Sequence, residues 1–368
     1  MRRPVMSVAT SMIALSLVSC GPLDAPVNSR DARPTKGSDI TVGLLMPETT
    51  NTRYVNFDYP IIRRKVAELT EKQGRVEYAN AAASSSRQAQ QMQQMIDNSV
   101  DVILLDAVDS HAVAGMVRKA RQAGIPVIAY DRLAEGPIDA YVSFDNELVG
   151  EVQGRTLLEA LGPGVDTADK VVMINGSPTD PNSRQFKQGA LSELSGVVTI
   201  AKSYETKDWS PERARVHMTE ALNALGRDNI AAVYSANDAM AGGIVKAFKA
   251  AGVTTMPPIT GQDADLDAVQ RIVAGEQYMT VYKPYAGEAE AAAEMAVTRV
   301  QGHDIEFDAL TRDHVDSPTD KGIPAQLVGV SALTKRSIKD TVVADGIYTV
   351  SDICTARYEK ACAAIRLD

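Results

Sequence analysis

From Ile40 onward, short β-branched runs alternate with segments whose apolar residues recur three and four positions apart. The runs Ile40–Leu45, Val76–Ala79, Val102–Leu105, Val127–Ala129, Val171–Ile174, Thr199–Ser203, Ala231–Tyr234 and Ile259–Gly261 read as strands. Segments such as Met92-Met95-Ile96 and Val113-Met116-Val117-Ala120 carry the helical period. Strands that are apolar along their whole length, separated by helices, belong in parallel sheets covered on both faces. Gly124-Ile125-Pro126 closes one helix, with Gly past its end and Pro shortly after. The chain has 368 residues, more than one core comfortably holds. The pattern predicts an α/β protein of two doubly wound parallel-sheet lobes, one on each side of about residue 144.

The ends of the strands carry the functional signal. PVIAYDR ends in Asp131-Arg132, IAAVYSAND in Asn237-Asp238 and PITGQDAD in Asp263, while VVMINGSPTDPN runs into a loop with Asp180 and Asn182. Each of these alone reads as a helix N-cap. Ligands of open parallel sheets bind outside the carboxyl ends of the strands, and four polar endings shared by both halves point to two rims facing one cleft. Trp209, the only tryptophan, lies in ETKDWSPERA, where Ser210 and Pro211 mark a helix start. On that loop the indole is either a surface residue or a plate on which a sugar ring stacks.

Charge and the N-terminus narrow the setting. The net charge is −9, and no Lys/Arg block of the kind that tracks phosphates is present, so a nucleic-acid partner is not expected. Arg2 and Arg3 precede an apolar run to Val18, too short to span a bilayer, which ends in Leu17-Val18-Ser19-Cys20. This is the layout of a secretory signal. Its final residues resemble a bacterial lipobox, which implies cleavage after residue 19 and a lipid on the Cys20 thiol. Residues 20–39, rich in Pro, Gly, Ser and Asp, read as a flexible tether. Export makes a disulfide between Cys354 and Cys362 expected. Residues eight apart on a straight helix are about 12 Å apart, so the segment between them must turn.

Tests for chemistry leave little. With Asp263, Asp265 and Asp267 as the first calcium ligands, Ala268 stands where the EF-hand turn needs Gly and Ala274 where it needs Glu. No metal site and no cofactor is expected; Asp265 and Asp267 read as acids at the start of a helix. No nucleophile elbow, zinc helix, P-loop or dinucleotide turn is present, and His111, His217, His303 and His314 are scattered. No catalytic residue is assigned.

VIAYDR, YVSFDNELVGEVQG, NGSPTDPN, SANDAMAGG, GQDADLDAVQRIVAGEQYMTVYKP and SIKDTVVADG together resemble bacterial D-xylose-binding proteins of ABC transporters. These belong to the wider class of pentose and hexose periplasmic binding proteins, and the likeness runs from Ile40 to about Gly346. It implies a type I periplasmic binding protein fold, in which three hinge crossings join lobes that close on one monosaccharide. It places 40–143 plus 284–323 in an N-terminal lobe and 144–283 plus 324–350 in a C-terminal lobe, with 351–368 an extension outside the resemblance. The sugar contacts it implies are Arg53, Tyr54, Asp131, Arg132, Asn182, Trp209, Asn237, Asp263 and Lys283. Tyr54 and Trp209 would sandwich the ring. The loop MPETTNTRYVNFDYP, which holds Arg53 and Tyr54, departs most from the family pattern. The expected protein is an exported monomer that hands a sugar to a permease, either held on the outer face of the cytoplasmic membrane by its lipid alone or free in the periplasm. Rival readings are a sensor serving a kinase or chemoreceptor, a secreted sugar-modifying enzyme, and a sugar-responsive transcription regulator. The last needs a DNA-binding helix pair where the signal segment stands.

Overall fold

A computed structural model describes residues 35–367. The expected signal segment, Cys20 and residues 20–34 of the expected tether lie outside the described residues. The remainder of that tether is already attached: Lys36 pairs with Asp101 at 2.9 Å, and its N–H bonds the Val300 carbonyl.

The first lobe begins with β1 (Thr41–Met46), α1 (Tyr59–Leu69), β2 (Arg75–Asn80) and α2 (Ser85–Asp97). It continues through β3 (Val102–Leu105), α3 (Ala114–Gln122), β4 (Val127–Tyr130) and β5 (Ala140–Phe144). These strands pair in parallel in the order β2-β1-β3-β4-β5. That order places a topological switch between β1 and β3, where the following loops diverge and leave a crevice. β1, β3 and β4 are buried along their whole length, as their apolar runs require. Separate apolar clusters cover the two faces of the sheet.

The chain then enters the second lobe with α4 (Asn146–Leu161), β6 (Lys170–Asn175), α5 (Pro181–Leu194), β7 (Thr199–Glu205) and α6 (Pro211–Leu225). There follow β8 (Ala232–Ser235), α7 (Asp238–Ala250), α8 (Leu266–Ala274) and β9 (Thr280–Tyr282). Here the parallel order is β7-β6-β8. The predicted strand Ile259–Gly261 makes only a single bridge, Ile259 to Val233. Pro257 and Pro258 precede it, and neither has an N–H to extend a ladder.

α9 (Tyr285–Gln301) returns to pack on the first lobe, followed by α10 (Asp304–Leu310), β10 (Asp313–Val315) and β11 (Ile323–Val328). β11 pairs in parallel with β5, and β10 pairs antiparallel with β11 at the edge. The chain therefore leaves the first lobe after Val328, not after 323 as the sequence reading had it. β12 (Ser331–Leu333) then joins β9. Among the described residues the chain thus crosses between the lobes three times, at 144–146, 283–285 and 328–331.

The C-terminal stretch folds onto the second lobe. α11 (Val350–Ile353) and α12 (Glu359–Ala364) flank a turn, and Cys354 and Cys362 are joined across it, their Cα atoms 5.9 Å apart. Ile353 and Cys362 share an apolar cluster with Val269, Ile272 and Val273 of α8.

α4 and α5 cross with almost no space between them. A Cβ added to Gly150 would stand 2.0 Å from the Phe186 carbonyl oxygen. In an ordinary helix Gly→Ala is favourable by about 1 kcal/mol. Here Gly150→Ala is expected to lower the unfolding free energy by about 2 kcal/mol in urea titrations, since the helices must part. An unchanged or raised stability would contradict this packing.

Candidate ligand-binding cleft

The loops at the carboxyl ends of the strands of both lobes converge on one small polar cavity. From the first lobe come Glu48 and Asn51 after β1, Tyr54 on the π-helical turn Tyr54–Asp58, and Asp131-Arg132 after β4. From the second come Asp180 and Asn182 at the start of α5, Trp209, Asn237 at the start of α7, Asp263 and Lys283. Local chemistry sets these positions. Asp180 caps α5 by accepting from the Asn182 N–H at 2.9 Å, and Asn237 caps α7 by accepting from Met240 N–H at 3.0 Å. These two residues therefore cap helices and also line the cavity.

Asp131, Trp209 and Asp263 all hold left-handed backbone, with φ of 58°, 54° and 94°. Such strain in non-glycine residues gathers at functional sites, where surrounding contacts over-determine it. The Trp209 ring lies flat against Gly176, where a Cβ would approach it to 2.1 Å. Its edge meets Phe186, with centroids 6.2 Å apart, and its Nε1–H donates to Asp180 at 3.1 Å.

Hydrogen bonds brace each rim and also tie the two together across the cleft. Tyr54 donates to the Asp131 carboxylate at 2.9 Å, and the Asp131 carbonyl accepts from Asn182 Nδ2 at 2.8 Å. Arg132 Nε donates to Asp180 at 2.9 Å. Asp263 accepts from Lys283 Nζ at 3.0 Å on one oxygen and from Asn51 Nδ2 at 3.1 Å on the other. Asn51 is aimed by its own Oδ1, which accepts from the Arg53 N–H at 3.1 Å. The space left among these groups is about 30 Å³, room for about two waters. A larger groove of about 670 Å³ lies between Asp109–His111 and Pro178–Gln188. It lacks this convergence of buried charge, so the smaller cavity is the stronger candidate.

Of the nine sugar contacts expected from the sequence, all but Arg53 line the cavity. The Arg53 guanidinium turns away beneath Tyr54 and pairs with Asp58 at 2.9 Å and with Glu288. Glu48, Asn51, Asp180, Phe186 and Gln262 line the cavity without having been selected. Asp180 was visible in its strand-end loop; the other four carried no distinguishing signal.

A model of the periplasmic binding protein domain matches residues 42–304. The chain is 34% identical to the D-xylose-binding periplasmic protein of Escherichia coli, covering 86% of this chain and 93% of that one. It is equally identical to its Haemophilus influenzae counterpart, over 86% and 92%. A solute-binding protein of an ABC transporter from Clostridium phytofermentans, solved with bound β-D-glucose, aligns with a TM-score of 0.75 at 25% identity. That alignment covers 85% of this chain and 99% of the other. Among the described residues no helix is long and apolar enough to cross a membrane.

Burial and charge compete throughout the cleft. Burial pushes the Asp131 carboxyl up, but Arg53, Lys283 and Arg132 outweigh it and hold the group below its usual range. Burial pushes Asp180 up despite Arg132. Just behind Asp263, burial lifts Asp238 to about 7, against the pull of Arg271. Asp238 nonetheless anchors the Asp263 loop, accepting from the Asp265 N–H at 3.0 Å and from Thr280 at 2.8 Å. An unfolded aspartate titrates near pH ~4. The contribution of Asp238 to stability is therefore complete below about pH 4 and is lost as pH rises through 7. Unfolding free energies measured from pH 4 to 8 should fall by an amount on the order of 3 kcal/mol more in the wild type than in Asp238→Asn. Parallel curves would show that Asp238 is not the group responsible.

Proposed function

The chain belongs to the periplasmic binding protein family, and on that premise we propose that it binds one monosaccharide, a xylose-like pentose or a hexose, between its lobes and delivers it to an ABC permease. The observation that carries this reading is the meeting of charged hydrogen-bonding groups from both lobes around Tyr54 and Trp209. A sugar hydroxyl both donates and accepts. Asp131, Asp180 and Asp263 supply acceptors, Arg132 and Lys283 supply charged donors, and Asn182 and Asn237 supply both. The aromatic faces take the C–H side of the ring. The names of the two relatives that bind D-xylose support a pentose.

The mechanism follows from the tightness of the cleft. A ring cannot enter about 30 Å³. The lobes must part at their three crossings, and the ring then replaces direct bonds such as Asn51–Asp263 with bonds through its hydroxyls. A ligand shifts such an equilibrium only by its differential affinity for the closed form, so contacts from both lobes are what make the sugar close the cleft. Micromolar binding needs about 8 kcal/mol, on the scale of a few charge-assisted hydrogen bonds plus ring stacking. The closed molecule then presents a surface composed of both lobes to the permease. The lipobox-like Leu17-Val18-Ser19-Cys20 supports attachment to the outer face of the membrane through Cys20.

A thermal-shift screen of pentoses and hexoses should raise the melting temperature with at least one sugar, recovered chemically unchanged; turnover of that sugar would overturn the binding reading. Asp263→Ala should weaken the binding by at least about 2 kcal/mol, because it strands Lys283 and Asn51 in the closed cleft. Full affinity in calorimetry would mean that the site is misplaced. Cys20→Ser should move the protein from the membrane fraction to the soluble fraction on cell fractionation. Retention in the membrane would refute the lipid anchor.

A further inference from the structure

Beneath the first-lobe wall lies a cluster of buried charge that does not reach the cavity. Arg53 and Asp58 bracket the turn that carries Tyr54, and Glu288 rises below it from α9. The Arg53 guanidinium is sealed among them. Its Nε donates to Asp58 at 2.9 Å and its Nη2 to Glu288, while the Tyr54, Phe144 and Tyr285 rings surround it at 5.0–5.5 Å. All three charged side chains are 0–1% exposed. The cluster thereby stitches the turn to α9, and the Tyr54 hydroxyl passes that constraint on to Asp131.

The charges in this cluster do not balance. One guanidinium faces two carboxylates, and Asp131 adds a third negative charge from the end of β4. The other cation facing them, Lys283, is bound to Asp263. Asp106 faces Arg53 from the end of β3, paired with Arg132. The hydroxyls of Tyr130, Tyr141 and Tyr285 supply no charge, since burial keeps them protonated. A net negative charge without solvent takes up a proton rather than remain ionised. Glu288 Oε1 is buried without a hydrogen-bond partner and can take it, and Asp58, whose carboxyl the Tyr130 hydroxyl faces, is the alternative. Burial lifts Asp58 to about 6 and Glu288 well above the ordinary glutamate range.

We propose that Glu288, with Asp58, is a positioning residue of the sugar site: the two carboxyls share one proton around Arg53 and so fix the turn that carries Tyr54, and sugar affinity follows that proton. Loss of the proton leaves a net negative charge beside Asp131. The turn is the element free to relieve it, and Tyr54 moves with the turn. The inference rests on the sugar-binding reading and adds to it a control by groups that never touch the ligand.

The test is titration of the purified protein with D-xylose and with D-glucose from pH 5.5 to 8.5. Wild-type affinity should fall at least fivefold over that range, and Glu288→Gln, neutral at every pH, should reduce the fall to less than twofold. Asp58→Asn should flatten the profile in the same way, and it carries the test if Glu288→Gln does not fold. A merely structural role would weaken binding equally at all pH values, so variant profiles parallel to the wild type would overturn the proposal. Amide exchange at residues 54–58, corrected for intrinsic rates, reads the same proton without sugar. Extra opening at pH 8.5 in the wild type but not in Glu288→Gln supports the positioning role, and equal opening in both overturns it. If the wild type binds neither sugar, the ligand assignment fails and the exchange measurement alone decides the proposal.

Discussion

The structure depends on one constraint: at the cleft, polar and charged groups leave water by meeting partners from the opposite lobe. Arg132 meets Asp180, Asn51 meets Asp263, and the Asp131 carbonyl meets Asn182. Each pair joins a residue of one lobe to a residue of the other. The apolar clusters do not do this; each belongs to one lobe, on either face of the first sheet or around the second. Parting the lobes therefore breaks no apolar core. It exposes polar groups that water satisfies, so opening costs little beyond the contacts themselves.

Much of the fold was legible because its strands are buried on both sides, which writes them as continuous apolar runs. β5 and β11 escaped, and with them the position of the last crossing. AYVSF places Tyr141 and Ser143 among its apolar residues, and both donate to the Asp131 carbonyl. Its polar content belongs to the site and hides the strand. The rim of the second lobe was legible for a related reason: at β6 and β8 the residue that caps the following helix also lines the cleft. Asn237 is the example that was selected, and Asp180 does the same although it was not.

The first-lobe loop resisted for reasons that no local pattern encodes. Asn51 reaches Asp263 across 212 residues, and nothing near it in the chain announces that pairing. Arg53 and Tyr54 are neighbours on one tight turn, yet one points into a buried ion cluster and the other into the cavity. Glu288, which helps draw Arg53 away, sits on a helix of otherwise alanine-rich sequence far along the chain. The resemblance to sugar-binding proteins identified both residues of the turn, but the direction of each side chain depends on what the fold brings beneath it.

Trp209 has one last consequence. It is the only indole in the chain, it stands in the cleft wall, and its N–H is held by Asp180, which also holds Arg132 of the opposite lobe. Any movement between the lobes alters the dipoles around that one ring. The tryptophan emission of the molecule therefore comes from a single source at the hinge-governed gap, and it reports opening and closing without an attached dye.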